Sequence, residues 1–305
     1  PGGWEALRGH AEFARQHGCL LQGFVNPRTQ TPDGPAYDRS AYPQDRAGRT
    51  LEDLSGRGAV ERLRLALDGA STHGLRFDAL YFDGYAAHQP LAEDWTPGQS
   101  SSRRRGYAAQ CACFHRVRQR GMMAGGELSR FWCLEACDFF FYSDWASDRL
   151  VNTPVQGAPG PVGVPVPMFQ LAFHDCCAAG FSGGGYAAYS HGYDWWAERT
   201  PRLYELLFAA APAYNWLPGG GAPVTGQAGP ALEARLAWLR RWGAFYRAVA
   251  LEPMVDHRLS TGGQQQRTEF GSGAALEVDL PADRFRVTGV AGFAGEWEEA
   301  PRLAE

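Results

Sequence analysis

The chain has 305 residues, 45% of them hydrophobic, with 38 Gly, 20 Pro and a formal net charge of -4. Such a chain buries a sizeable core, and a pI near 6.1 with no basic block beyond Arg103 to Arg105 disfavours nucleic acid as a partner. All Lys and Arg positions are Arg, which excludes Schiff-base chemistry and a Lys general base.

No run of about 18 or more apolar residues is present, so we expect a soluble chain without a membrane partner. The first residues, Pro1 to Trp4, do not resemble a signal peptide, and the sequence leaves localisation open. The seven Cys include no CxxC pair, so we expect buried free thiols and no metal site.

Three times, a helical, Arg-rich stretch ends in Gly and is followed at once by a short apolar run that finishes on a polar residue. The runs are Gly18 to Asn26, Gly74 to Asp83 and Gly121 to Glu127. Gly leaves a helix in the left-handed conformation without a Cβ penalty, so each pattern predicts a helix, a turn and a buried strand. The repetition predicts α/β units with parallel strands.

The next part of the chain predicts further strands and helices. They are a fourth strand over 138–144, a fifth over 164–175, a helix over 202–211, a short sixth strand over 213–216 and a long helix over 229–250. The fourth and fifth strands both end on an acid, as the second and third do.

From residue 252 the sequence changes to alternating polar and apolar residues. The runs 266–270, 275–280 and 284–287 are separated by Gly or Pro turns, which predicts an antiparallel sheet. We place a domain boundary here, between a catalytic domain over 1–251 and a small C-terminal β-domain over 252–305.

The predicted fold class is α/β, a (β/α)8 TIM-type barrel followed by that β-domain. A closed barrel needs eight strands, whereas six are visible and the chain begins in a helix. The visible part therefore corresponds to about strands 3 to 8. The first two βα units are either missing, split off, or supplied by another chain as a partner.

Asp83 and Glu127 end consecutive predicted strands, which lie ~4.8 Å apart when a right-handed crossover makes them neighbours. Retaining glycosidases hold two carboxylates ~5 to 5.5 Å apart, one to attack the anomeric carbon and one to protonate the departing oxygen. Gly125 and Gly126 also leave the backbone before Glu127 open to a ligand. The pair therefore predicts cleavage of a glycosidic bond at a barrel mouth.

Several motifs together resemble a known family. Leu80 to Asp83, Gly125 to Glu127 and Met168 to Asp175 are similar in order to the nucleophile, acid/base and His-Asp motifs of the α-amylase-like retaining glycosidase barrels. Within that group, residues 19–216 look most like the endo-α-N-acetylgalactosaminidases and their exo-acting relatives. Residues 266–273 are similar to the β-domain that follows such barrels.

The resemblance implies a nucleophile at Asp83, a general acid/base at Glu127, and hydrogen bonds to the sugar from His174 and Asp175. It also puts Asn26 where related barrels keep an Asn facing the sugar. The remaining candidate substrate-binding residues are Tyr81, Trp132, Asp144 and Trp145. Aromatic side chains suit this role because the apolar faces of pyranose rings pack on them.

We therefore expect a retaining glycoside hydrolase that needs no cofactor and acts on α-linked sugars, with α-N-acetylgalactosaminides of O-glycans as its carbohydrate substrate. A retaining α-galactosidase or α-glucosidase of the same architecture is one alternative, and a non-catalytic carbohydrate-binding barrel is another. The distance between the carboxylates separates these hypotheses, since ~5 to 6 Å supports retention and ~6.5 to 9.5 Å supports inversion. A larger separation favours binding alone.

Overall fold

A computed structural model describes residues 2–30, 37–84, 93–126, 131–140, 166–180, 199–212 and 230–299. The chain divides into two compact units, Pro1–Phe139 and Phe140–Glu305. The first unit contains parallel strands, and the second contains a separate antiparallel sheet. The fold is therefore α/β with two kinds of sheet.

The first unit alternates helices and strands, as the sequence predicts. Its helices are α1 (Gly3–Gln16), α2 (Gly56–Thr72) and α3 (Arg103–Gln119), its strands are β1 (Gln22–Val25), β2 (Ala79–Phe82) and β3 (Met123–Gly126), and it has 3-10 helices at Arg39–Ala41 and Phe131–Ala136. Strand β4 (Phe139–Phe140) spans the division between the units. The prediction of three helix–Gly–strand segments is confirmed.

All three helices end at a Gly in the left-handed conformation. The φ angles are 70° at Gly18, 68° at Gly74 and 74° at Gly121. After α1, the N–H groups of Gly18 and Cys19 donate back to carbonyl oxygens of the last helical turn, the bond pair of a Schellman motif. The same pair of bonds closes α2 and α3, so each Gly directs the chain from its helix into the next strand.

Strands β1, β2 and β3 are parallel and in register at their carboxyl ends. Val25 pairs with Phe82, and Phe82 pairs with Gly126. The next residues along the chain at these three ends are Asn26, Asp83 and Glu127. The register therefore aligns the strand ends that precede three predicted site residues.

The two faces of β2 have different surroundings, because successive residues of a strand point to opposite faces. Phe82 is fully buried, and its ring centroid lies 4.6 Å from that of Phe114 in α3. Tyr81 points the other way and stacks on Phe24 of β1 at 5.6 Å. Phe24 is 68% exposed and Met123 of β3 is 39% exposed, whereas Tyr81 on the same face is 8% exposed, so this face is only partly covered.

Gly125 in β3 lies directly against the next strand. A Cβ at this position would lie 2.5 Å from the Phe139 Cδ2 atom and would also contact the Phe139 carbonyl oxygen. The sequence suggested that the two glycines before Glu127 let a ligand approach the backbone. At Gly125 the approaching group is instead the neighbouring strand of the protein.

The second unit has three helices and an antiparallel sheet among its described residues. The helices are α4 (Met168–Phe173), α5 (Arg199–Leu207) and α6 (Pro230–Val249), and the strands are β5 (Ala178–Ala179), β6 (Met254–Leu259), β7 (Gln265–Phe270), β8 (Ala275–Asp279), β9 (Arg284–Thr288) and β10 (Glu298–Glu299). The sheet order is β10-β9-β8-β7-β6, with antiparallel neighbours throughout. The predicted helix over 229–250 and the three predicted strands after residue 252 are confirmed, while the helix predicted over 202–211 is present over 199–207 and ends before residue 208.

One continuous core joins these helices to the sheet. Leu207 of α5, Trp242 and Phe245 of α6, and Phe270 of β7 are all at most 2% exposed and belong to the same cluster. The Trp242 Nε1–H group donates to the Ala210 carbonyl at 3.1 Å. Side chains from both sides of residue 252 share this core, and the domain boundary predicted there stays a prediction.

The predicted fifth strand over 164–175 is wrong for its described part, where residues 168–173 form helix α4. An apolar run of this length has no periodicity that separates a strand from a buried helix. Helix-forming residues are present in this run, namely Met168, Gln170 and Leu171. Phe169 and Phe173 are one helical turn apart, and their ring centroids are separated by 5.5 Å. Local propensity therefore permits a helix here, and the packing of the run decides between the two conformations.

Two other predicted strands are described only in part or not at all. The strand over 138–144 is a strand at Phe139–Phe140, and its residues from 141 lie outside the described part. The strand over 213–216 also lies outside it. The parallel pairs that the structure describes are β1 with β2 and β2 with β3.

None of the seven cysteines forms a disulfide, and five of them are buried, while Cys19 and Cys176 are exposed. Burial raises the pKa of Cys111 and Cys137, so these thiols stay protonated at neutral pH. Within the described ranges, no helix is both long enough and apolar enough to cross a membrane.

We expect Gly125→Ala to destabilise the protein by about 1–3 kcal/mol, because the added methyl group must displace strand β4. Gly243→Ala is the matched control. A Cβ there meets only the end of the Arg247 side chain at 3.5 Å, so alanine in this helix adds up to about 1 kcal/mol of stability. Thermal and denaturant unfolding of both variants measure the difference. Equal stability of the two variants would contradict the close strand approach.

Candidate functional site at the strand ends

Asn26 and Asp83 directly follow β1 and β2 and are hydrogen-bonded to each other. The Asn26 Nδ2 atom donates to Asp83 Oδ2 at 2.9 Å, and both side chains are half-buried. The Asp83 N–H group donates to the Val25 carbonyl at 2.9 Å, so the backbone ladder continues past the strand ends. Two predicted site residues from different strands are therefore in direct contact.

Glu127, the predicted acid/base, lies outside the described residues. Gly126, the residue before it, ends β3 and pairs with Phe82, the residue before Asp83. Neighbouring strands lie ~4.8 Å apart. The last described residue before Glu127 is therefore paired with the residue that precedes Asp83.

Other acids beside these strands are engaged by the backbone at the opposite strand ends. Asp78 precedes β2 and accepts a hydrogen bond from the Leu21 N–H group at 2.9 Å. Asp138 precedes β4 and accepts one from the Ala124 N–H group at 2.8 Å. These two carboxylates fix the start of neighbouring strands and so have a structural role.

Asp83 differs from these acids in what surrounds its carboxylate. Oδ2 accepts the Asn26 bond, and Oδ1 has no partner among the described residues. The side chain also keeps part of its surface exposed. A half-buried carboxylate with one oxygen held and one oxygen open is suited to nucleophilic attack.

The loops that follow β1 and β2 are bonded to each other and carry an exposed aromatic ring. The Trp95 N–H group donates to the Gln44 carbonyl at 2.8 Å, and the Gln44 N–H group donates to Thr96 Oγ1 at 3.2 Å. Trp95 is 44% exposed, and the Arg46 guanidinium lies 4.5 Å above its ring centroid. Sequence reasoning did not select Trp95, although a Trp in a long loop after a strand-end acid is a usable signal for a sugar platform.

The structure surrounds Tyr81 with protein. It is 8% exposed, and its ring stacks on Phe24. The residue lies two positions before Asp83 on the same face of β2. Its predicted contact with substrate stays a prediction.

His174 belongs to the second unit and lies in its core, 6% exposed. Its Nδ1 atom is 2.8 Å from the Glu252 carbonyl oxygen, and its Nε2 atom is 3.4 Å from the Ala209 carbonyl oxygen. Its ring centroid lies 5.3 Å from that of Phe270. Each ring nitrogen thus lies near a backbone carbonyl oxygen of the second unit. The predicted hydrogen bond from His174 to a sugar stays a prediction.

Asp175 is exposed, and its carboxylate accepts a weak hydrogen bond from the Cys176 thiol at 3.4 Å. Its predicted role in substrate binding is untested. Asp144 and Trp145 lie outside the described residues, and Trp132 lies in a described 3-10 helix whose first side chains are not described. Their roles also stay predictions.

The described residues contain no group of three or more His, Cys, Asp or Glu side chains that could hold a metal ion. A groove of about 630 Å³ lies at the opposite ends of the strands, where α2 ends and β2 and β3 begin. Its lining includes Arg76, Phe77 and Arg120. Active sites of parallel barrels form at the carboxyl ends of the strands, so we assign the candidate site to Asn26 and Asp83 and not to this groove.

Sequence reasoning missed the local bonds that orient Asn26. Its Oδ1 atom accepts hydrogen bonds from the N–H groups of Arg28 at 2.9 Å and Thr29 at 3.3 Å. Asn followed by Pro27 is a recognised signal for turn initiation through such side-chain bonds. The signal was present in the sequence at the end of the first predicted strand.

The structure is similar to solved structures of the α-N-acetylgalactosaminidase NagBb from Bifidobacterium bifidum. A quadruple mutant matches with a TM-score of 0.75 and 22% identity over 94% of this chain and 45% of that chain. The GalNAc complex matches with a TM-score of 0.74 and 21% identity over 94% and 45%, and the Gal-NHAc-DNJ complex with 0.74 and 22% over 95% and 46%. The chain therefore spans a little under half of the length of these proteins.

No protein-family model and no curated protein sequence matches the chain. At the identity given above, the structural likeness shows a shared fold. The resemblance to α-N-acetylgalactosaminidases that the sequence motifs indicate is confirmed at that level.

Proposed function

We propose that the chain is the catalytic part of a retaining glycoside hydrolase that acts on α-linked sugars. The observation that carries this proposal is the register of the three strand ends, Val25 with Phe82 and Phe82 with Gly126. The residues that follow these strand ends are Asn26, Asp83 and Glu127. The contact between Asn26 and Asp83 supports the same assignment, because it holds an acid at this edge of the sheet.

In the proposed reaction, Asp83 acts as nucleophile and Glu127 as general acid/base. The Asp83 carboxylate forms a bond to the anomeric carbon while the glycosidic C–O bond breaks and Glu127 gives its proton to the leaving oxygen. Water then attacks the anomeric carbon, Glu127 takes the proton of the water, and the bond to Asp83 breaks. Two displacements at one carbon retain the anomeric configuration.

We propose α-N-acetylgalactosaminides as the substrate. The fold is shared with an enzyme named for this activity, whose structures include a complex with GalNAc. The exposed Trp95 ring on the loops after β1 and β2, together with Trp132 and Trp145, would supply apolar surface for a pyranose ring. His174, Asp175, Asp144 and Tyr81 remain proposed contributors to substrate binding.

We also propose that further βα units complete a (β/α)8 barrel beside β1. Among the described residues β1 pairs on one side only, with β2, and Phe24 and Leu20 are about two-thirds exposed. The unpaired edge of a strand presents N–H and C=O groups that another strand can bind, and closure into a barrel removes such an edge. The partner would be a segment supplied by the same or another chain.

The experiment that tests the proposed activity is hydrolysis of a panel of nitrophenyl α-glycosides by the full-length protein. Proton NMR of the first-formed sugar gives its anomeric configuration. We expect the N-acetylgalactosaminide to be hydrolysed fastest, with retention. Another preferred sugar would revise the substrate only, whereas first-formed β-sugar would remove the double-displacement mechanism.

We expect Asp83→Asn to lower kcat/KM by at least about 10³-fold, which is ~4 kcal/mol of transition-state stabilisation. The amide cannot form the covalent intermediate, while its volume matches that of the carboxylate. Steady-state kinetics and the melting temperature on the same preparation measure the two effects separately. Wild-type turnover in this variant would remove Asp83 as the nucleophile.

Asp78→Asn is the matched control for this variant, since it makes the same substitution at the other end of β2. The amide oxygen can still accept the Leu21 N–H bond, so we expect a nearly normal kcat/KM. A similar loss of activity in both variants would mean that each substitution lowers activity by disturbing the structure of β2, and not by removing a nucleophile.

We expect Glu127→Ala to lose about 10²–10⁴-fold in rate on natural glycosides and much less on activated aryl glycosides, whose leaving groups need no proton. Added azide should attack the glycosyl enzyme in the space of the removed carboxylate and give a sugar azide of retained configuration. Kinetics on both substrate types and NMR of the azide product measure this.

Glu135→Ala serves as the control, because this exposed Glu lies eight residues further along and contacts the Tyr107 hydroxyl at 3.3 Å. It should show neither the substrate-dependent loss nor the azide product. An equal loss of Glu127→Ala on both substrates, with no azide product, would assign the acid to another residue.

A further inference from the structure

We propose that Asn26 is the positioning residue of Asp83: it holds Oδ2 of the carboxylate so that Oδ1 is the oxygen presented for attack. The catalytic role of this contact rests on the proposed function, whereas the contact itself is the hydrogen bond between the two side chains. It differs from the direct contact with the sugar that the sequence resemblance implies for Asn26.

The orientation of the Asn26 amide follows from its neighbours. Its Oδ1 atom accepts from the N–H groups of Arg28 at 2.9 Å and Thr29 at 3.3 Å. An amide turned the other way would direct its NH2 group at two N–H donors and its oxygen at a carboxylate. The bonding network therefore fixes Nδ2 toward Asp83, where it donates to Oδ2 at 2.9 Å.

The backbone that carries Asn26 is itself held. The Leu54 N–H group donates to the Arg28 carbonyl at 2.6 Å, and the Arg28 guanidinium pairs with the Asp53 carboxylate at 2.5 Å. These bonds tie the first residues after β1 to the segment just before α2. Asn26 is thus a fixed donor, and it orients the side chain of Asp83.

The consequence for the carboxylate is a division between its two oxygens. Oδ2 is engaged by Asn26, while Oδ1 has no partner among the described residues. An oxygen already in a strong hydrogen bond is the poorer nucleophile, since attack would cost that bond. Oδ1 therefore forms the bond to the anomeric carbon, and Oδ2 becomes the ester carbonyl, which can keep the Asn26 bond throughout.

Asn26→Asp isolates the donor. It keeps an oxygen for the Arg28 and Thr29 N–H groups, but it replaces the NH2 group with a second carboxylate beside Asp83. Two carboxylates at hydrogen-bond distance do not both ionise easily, so one holds its proton to higher pH. We expect the acidic limb of the kcat/KM profile to move up by about one pH unit or more, with kcat/KM lowered about 10²-fold at its optimum and KM little changed.

Two further variants separate this role from others. Asp53→Asn weakens the ion pair with Arg28 but leaves the Asn26–Asp83 hydrogen bond. The acidic limb of the kcat/KM profile of this variant should therefore stay at the wild-type pH. Asn26→Ser removes the amide donor without adding charge, so it should lower kcat/KM with a smaller displacement of the limb. If Asn26 only bound the sugar, Asn26→Ser, which adds no charge, would raise KM and leave both kcat and the acidic limb unchanged.

A measurement without substrate keeps this proposal distinct from the proposed function. Carbon-13 NMR of protein labelled at the Asp carboxyl carbons follows the titration of Asp83, assigned through its loss in Asp83→Asn. We expect Asn26→Asp to move that titration to higher pH and Asp53→Asn to leave it unchanged. If the wild-type protein hydrolyses no glycoside, the proposed function fails while this titration still tests the pairing. An unmoved Asp83 titration in Asn26→Asp, or the same displacement in Asp53→Asn, overturns the positioning role.

Discussion

The alignment of three parallel strands at their carboxyl ends is the constraint on which the candidate site depends. Val25, Phe82 and Gly126 share one level of the sheet, so the residues that follow them begin at one edge. Side chains alternate between faces along a strand, so a shift by one residue would turn Asp83 toward the helices. The site exists only in this register.

Several independent features maintain that register. The Schellman turns at the ends of the helices set where each strand begins. At the amino ends of the strands, the Asp78 carboxylate accepts a hydrogen bond from the N–H group of Leu21, just before β1, and the Asp138 carboxylate accepts one from the N–H group of Ala124 in β3. Gly125 permits the backbone of β4 to approach β3 closely. Acids at one end of the strands therefore stabilise the arrangement that exposes an acid at the other end.

The hydrogen-bond partners and burial of an acidic or basic side chain indicate better than its residue type whether it has a structural or a catalytic role. Asp78 and Asp83 flank the same short strand, yet one binds a backbone N–H group and the other binds a side-chain amide and, within the described part of the chain, has one oxygen without a partner. His174 lies in a motif that resembles a glycosidase signature, and both of its ring nitrogens face backbone carbonyls in a packed core. Motif order alone does not distinguish these situations.

The sequence by itself determined the elements that depend on neighbouring residues. A Gly after a helical stretch needs the left-handed conformation, and alternating residues between Gly and Pro turns form antiparallel strands, so both patterns are local. The strand ends that hold Asn26 and Asp83 followed from the same patterns. Tertiary structure decided the rest. Residues 168–173 form a helix, because an apolar run there fits either conformation until its packing is known. The bond between Asn26 and Asp83 joins residues 57 positions apart, and only strand pairing brings such residues together.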